Sequence, residues 1–140
     1  MGARTLGIDL GERRIGVAIS DTGGRVATPL TVIQRSSSPT RDYQHIAGLV
    51  TEHEATAVVV GLPLSLDGGS GPAARRAEHE IHQLQAALAV PVLAHDERFT
   101  TVIAERALAE SGLNGRARRR RIDMVAASII LQSWLDTQVP

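Results

Sequence analysis

A chain of 140 residues with 43% hydrophobic and 21% charged side chains has the composition of a single domain spanning 1–140. It is long enough to bury about two-thirds of its unfolded surface. Cysteine is absent, which excludes disulfides and cysteine-ligated zinc. No apolar run reaches the ~18–20 residues of a membrane span and the N-terminus lacks a signal-peptide core, so a cytoplasmic location with no membrane partner is expected. The formal net charge is zero, which argues against indiscriminate affinity for nucleic acid, but the charge is unevenly placed. From Arg98 to Arg121 seven arginines stand against only Glu105 and Glu110, and arginine suits bidentate contact with phosphate.

In chain order, residues 5–21 read as a β-hairpin. An apolar run ends in Leu10, Gly11-Glu12-Arg13-Arg14 makes the turn, and Ile15, Val17 and Ile19 alternate with Gly16, Ala18 and Ser20 at the period of a strand. Asp9 breaks the apolar pattern, and a carboxylate in a sheet is costly unless it is paired, hydrated or bound to metal. Its expected neighbours on that face, Gly7, Gly16 and Ala18, leave the sheet bare enough for a large anionic ligand to approach. Val26–Ile33 reads as a third strand, with Pro29 marking a bulge or bend. A polar linker over 35–41 leads to a helix from about Thr40 to Glu54. Residues 56–60, TAVVV, form a strand covered on both sides.

A glycine-rich loop opens at Gly61 and runs into a helix carrying Ala77, Ile81, Leu84 and Leu88 at helical spacing. Val90–His95 is a short strand leading into Asp96-Glu97-Arg98-Phe99. Thr100 or Thr101 then caps a helix ending at Ser111-Gly112, residues 112–121 read as a mobile basic loop, and the last helix covers about Ile122 to Asp136. Three strands in a meander followed by alternating helices and strands specify an α/β domain. Its mixed five-stranded sheet combines the antiparallel meander with parallel strands and carries helices on both faces.

Three acids fall at element ends: Asp9, Glu97 and Asp123. Mg²⁺ and Mn²⁺ prefer oxygen ligands, typically one or two carboxylates with waters and phosphates. Two such ions ~4 Å apart activate water and stabilise the leaving oxygen of a phosphodiester. Ala126 and Ala127 share the helical face of Asp123 and would let that helix sit close to the sheet. The same acids also fit separate duties, with Asp9 hydrogen-bonded, Glu97 solvated and Asp123 at a helix start. Asp96 competes with Glu97, but adjacent residues of an extended segment face opposite ways. Only one of the two is therefore expected to enter the site; Glu97 is taken as that residue, with Asp96 behind it or paired with an arginine such as Arg98.

The blocks GIDLGERRIGVAISD, VVVGLPLSLDGG, DERFTT and IDMVAASIILQSWLD, in this order and over essentially the whole chain, resemble the YqgF/RuvX family of Holliday junction resolvase-like and pre-16S rRNA nucleases. The resemblance implies an RNase H-like fold and a metal-dependent nuclease, with catalytic, metal-binding acids at Asp9, Glu97 and Asp123. Its implied substrates are precursor 16S rRNA during ribosome biogenesis or, alternatively, four-way DNA junctions. The departures are Phe99 where leucine is usual, and arginine for lysine at Arg13 and in the basic stretch. Pro72-Ala73 displaces the basic side chains Arg75 and Arg76 from the usual pattern.

Nucleic-acid contacts are expected from Arg13, Arg14, Ser65, Arg75, Arg76 and Arg98, and from the cluster Arg116, Arg118, Arg119, Arg120 and Arg121. Backbone N–H groups of the Gly61–Gly71 loop offer a phosphate cradle, although the spacing is not that of a P-loop. With Tyr43, Phe99 and Trp134 as the only aromatics, backbone shape rather than base stacking is the expected basis of recognition. His79 and His82 read as solvent-facing and His95 as a strand-end residue. A junction resolvase would favour a two-fold dimer, and monomer and homodimer both remain open. Two other classes compete: an ATP binder of the actin or sugar-kinase type, which needs a second such domain, and a non-catalytic nucleic-acid-binding or ribosome-assembly factor.

Overall fold

The computed structural model describes residues 3–64, 69, 71–97 and 115–138, with only the main chain described at 116–118. Five strands are formed: β1 (Arg4–Leu10), β2 (Arg14–Ser20), β3 (Ala27–Gln34), β4 (Ala55–Leu62) and β5 (Val92–Asp96). They join in one sheet of order β3-β2-β1-β4-β5. The pairs β1–β2 and β2–β3 are antiparallel, whereas β4 lies parallel to β1 and β5 parallel to β4. The hairpin register sets Asp9 opposite Gly16 and Gly7 opposite Ala18, the neighbours that the alternation calls for. The register of β2 on β3 shifts between Val17 and Ala18, the latter paired with Pro29, so the bend expected at this proline is a bulge.

Alternation along the strands divides the core in two. Leu6, Ile8, Ile15, Val17, Val58 and Val60 pack with Ile46, Val50, Ile81 and Leu84, side chains of α1 (Pro39–Glu52) and α2 (Pro72–Ala87). Ser38 caps α1 by accepting from the Arg41 N–H at 3.2 Å, with Pro39 in the first turn, the preferred chemistry for that end. The opposite face is covered by the 22-residue α3 (Arg116–Thr137). There Ala18 meets Ala127, Leu131 and Leu135, and Val59 meets Ala126 and Ile130. This face is built from small residues because α3 nearly touches the sheet main chain. A Cβ on Gly16 would lie 2.1 Å from the Asp123 carbonyl oxygen.

One expectation is corrected. Residues 116–121 do not form a loop: the arginine cluster makes the opening turns of α3, which starts well before Ile122. Arginine is a good helix former, and Gly115 adopts φ +116° at the N-cap, a conformation open to glycine. Arg119, Arg120 and Arg121 are exposed on that first stretch. The expected helix from Thr100 to Ser111 lies outside the described residues. No helix among the described residues is long and apolar enough to cross a membrane.

Candidate active site

Asp9 is near the end of β1, on the face that α3 covers, and is only 5% exposed. Glu97 follows β5 directly and is 3% exposed. Its backbone N–H donates to the Leu62 carbonyl at 3.2 Å, which carries the β4–β5 pairing one residue past the strand. Its carboxylate then takes the space a side chain at Gly61 would fill, since a Cβ there would lie 2.2 Å from Glu97 Oε2. Gly61 is thus required by the close approach of Glu97. Asp96 lies opposite Leu62 in the register and faces the other side of the sheet by alternation.

Asp9 and Glu97 line one cleft of about 610 Å³, together with Gly11, Glu12, Arg35, Gly61, Ala73, Arg76 and Glu80 among others. Among the described residues, four carboxylates and two guanidiniums line it, a set that favours cations over a bare phosphate. Two buried carboxylates with only oxygen donors suit a hard divalent ion, so the residues present fit Mg²⁺ or Mn²⁺. Asp123 is not part of the lining. Its main chain rests on Gly16, directly across the hairpin from Asp9, but its Oδ2 accepts from Arg14 Nε at 2.5 Å. Among the described residues no group of three or more histidine or acidic side chains is gathered to hold a metal ion.

The basic residues divide as well. Arg76 is exposed at the cleft, 4.0 Å from Glu12, and Arg75 is exposed beside it. Arg13 is exposed in the hairpin turn, and Arg14 is committed to Asp123. Ser65 and Arg98 lie outside the described residues, as do the side chains of Arg116 and Arg118. His79 and His82 are exposed on α2. His95 Nε2 is 2.9 Å from Ser133 Oγ, and burial pushes its imidazole below the usual histidine range.

Sequence reasoning missed the wall of the cleft. Arg35 donates through Nη1 and Nη2 to the two oxygens of Glu80 at 2.7 and 2.9 Å, and through Nε to the Gly11 carbonyl at 2.8 Å. The Tyr43 hydroxyl donates to Glu80 Oε1 at 2.7 Å. This network ties the hairpin turn to α1 and α2. No local signal marks it, because Arg35 lies in a polar linker 45 residues from Glu80. Burial works to raise the Glu80 pKa, but the Arg35 and Tyr43 hydrogen bonds hold it below its ordinary value of 4.5. The hydrogen bond to Glu80 in turn raises Arg35, while burial and then Glu80 raise Tyr43.

Glu80→Gln is expected to cost about 2 kcal/mol at pH 7, the worth of hydrogen bonds to a charged group. A depressed folded pKa contributes stability that is present above the unfolded value and lost as pH falls through the folded one. The difference between parent and variant in denaturant unfolding should therefore be full above about pH 4.5 and shrink below it. A pH-independent difference would mean that the charge of Glu80 contributes nothing.

Comparison with known proteins agrees with this architecture. A family model described as RuvX, Holliday junction resolvase, matches residues 3–137. A protein of Mycobacterium sp. (strain KMS) named "Putative pre-16S rRNA nuclease" is 49% identical over 134 residues, covering 95% of this chain and 79% of its own length. One of the same name from Anaeromyxobacter sp. (strain K) is 44% identical over 137 residues, covering 98% and 99%. Among solved structures, T. thermophilus RuvC in complex with a Holliday junction substrate aligns with a TM-score of 0.57 at 15% identity, over 97% of this chain and 95% of that one. That likeness shows the RNase H-like fold of the sheet and its helices. The match over nearly the whole length establishes that the chain belongs to the RuvX family of nucleases.

Proposed function

We propose that this chain is a divalent-metal-dependent nuclease that hydrolyses phosphodiester bonds of structured nucleic acid in the cytoplasm, with precursor 16S rRNA as its substrate. The observation that carries the reading is the pair of buried carboxylates, Asp9 and Glu97, lining a single cleft. Two carboxylates at the strand ends of one cleft offer the oxygen donors that a hard divalent ion prefers. Asp9 and Glu97 would hold Mg²⁺ or Mn²⁺, with Asp123 the third ligand, one strand away across the hairpin. The chemistry expected of two bound ions is Lewis-acid activation of the phosphodiester and of the attacking water.

The remaining roles fall to the chain's own side chains. Arg76 is exposed at the cleft and positioned to take a phosphate oxygen, and Arg75 extends that basic edge along α2. Arg119, Arg120 and Arg121, exposed on the first turns of α3, would neutralise backbone phosphates further along the substrate. Each phosphate so contacted steepens the dependence of binding on salt. Arg35 is held by Glu80 and Gly11, so it shapes the wall rather than contacting substrate. The precursor-rRNA assignment draws its support from the names of the relatives that align over nearly the whole chain.

The test is a cleavage panel with Mg²⁺ or Mn²⁺ offering single strands, duplexes, four-way DNA junctions and a ribosomal precursor transcript, each repeated with chelator. Metal-dependent cutting of the precursor is expected. Cutting of junctions with the precursor left intact would transfer the function to junction resolution, where a dimer is expected. Binding without cleavage of any substrate would leave a non-catalytic assembly factor.

A further inference from the structure

The ion pair between Arg14 and Asp123 has no place in the chemistry above, yet it engages one of the three carboxylates assigned to metal. It joins residues 109 apart, with side chains 27% and 21% exposed. It also sits where α3 packs tightly on the sheet at Gly16. Asp123 is packed by its carbonyl onto Gly16, which pairs with Asp9, so its main chain is fixed over the strand next to that of Asp9. Its carboxylate is bonded to Arg14 and does not line the cleft.

Arg14 and Gly16 are two apart on β2, and their side-chain positions therefore fall on the same face, the one that α3 covers. Arg14 thus presents a permanent positive charge to Asp123, the charge that a divalent ion would otherwise bring. A carboxylate paired to an arginine has to leave it before it can turn to a metal, so the two interactions compete through linkage.

We infer that Arg14 is a positioning residue acting as a stand-in cation. It holds Asp123 away from the Asp9–Glu97 cleft while the chain is metal-free and exchanges it to the ion on loading. The inference rests on the assignment of Asp9, Glu97 and Asp123 as ligands. Arg14, once released beside the cleft, is a guanidinium available to a phosphate oxygen of the substrate. Full loading is thereby coupled to a place for Arg14 to go, and that place is the nucleic-acid backbone.

Calorimetric titration of the metal-free protein with Mn²⁺, without substrate, reads this directly. Arg14→Gln should tighten binding about threefold to fivefold, the scale of a competing part-exposed ion pair. Arg13→Gln, which removes the same charge one residue away, should change it less than twofold. In an Asp123→Asn background the Arg14 effect should vanish. Tightening no greater than that of Arg13→Gln, or tightening that persists without Asp123, overturns the interlock.

A second measurement needs no variant: the Arg14 Nε–H resonance, protected from exchange in the metal-free protein, should lose protection at saturating Mg²⁺. Undiminished protection means that the pair survives loading and the inference is wrong. Asp9→Asn separates the two levels. Unaltered Mn²⁺ binding in that variant removes the metal site itself, whereas loss of binding there with a neutral Arg14→Gln removes only the interlock.

Discussion

Asp9→Asn is expected to abolish metal-supported cleavage, lowering the rate on the order of a thousandfold, about 4 kcal/mol in barrier, while the protein stays folded. Asparagine has the same shape and keeps an acceptor oxygen. It removes the charge on which the proposed binding of a hard cation depends, at a position only 5% exposed. Loss of activity in a variant whose thermal melt still shows a cooperatively folded protein is the signature of a residue that acts in the chemistry. Glu97→Gln should behave the same way in activity. A variant that cleaves within a few-fold of the parent at saturating Mn²⁺ would remove Asp9 from the reaction.

The parts of this site that are legible in the sequence share a physical cause. Asp9 is visible because a strand has a period of two and one position in an otherwise apolar run is charged; burial makes such an exception expensive, so it has a reason to exist. Glu97 is separable from Asp96 by the same alternation, and the structure puts Glu97 in the cleft with Asp9. The small residues Ala126 and Ala127 announce the close approach of α3, but Gly7, Gly16 and Ala18, read as a bare patch open to a large anionic ligand, are instead covered by that helix. What is illegible depends on contacts between distant segments. Arg35, Glu80 and Tyr43 meet across 37 and 45 residues, and nothing local to any of them records the others.

The start of α3 escapes the sequence for a different reason. Arg118 to Arg121 form an unbroken polar run, and helical periodicity shows only where apolar and polar residues alternate. The apolar stripe begins at Ile122, and periodicity therefore places the helix start there. Arg14 reads as a nucleic-acid contact because its charge is the only property the sequence displays. Its bond to Asp123 spans 109 positions and exists only because α3 crosses β2 at Gly16.

That crossing leads to the largest stability effect expected of a single methyl group. In Gly16→Ala the new Cβ would stand 2.1 Å from the carbonyl oxygen of Asp123 and 2.8 Å from its carbonyl carbon. Both are main-chain atoms of a 22-residue helix, so no flexible side chain can give way. Either α3 lifts from β2, breaking the packing of Ala18 on Ala127 and Leu131, or the hairpin bends. Overpacking of this kind costs about 3 kcal/mol, which for a domain of this size lowers Tm on the order of 10 °C. Activity should fall further than stability, by at least about tenfold at a temperature where the variant is folded, since a displacement of Asp123 by about 1 Å is enough to spoil a metal ligand.

Gly48→Ala provides the opposite sign on the same chemistry. Gly48 is exposed on α1, and the methyl group of an alanine there would meet nothing within 4 Å. The substitution should therefore stabilise by about 0.5–1 kcal/mol through helix propensity alone. Thermal melts of the two variants beside the parent decide the matter. If Gly16→Ala melts with the parent, α3 does not rest on β2 at this point, and Asp123 has no fixed position from which to reach the cleft.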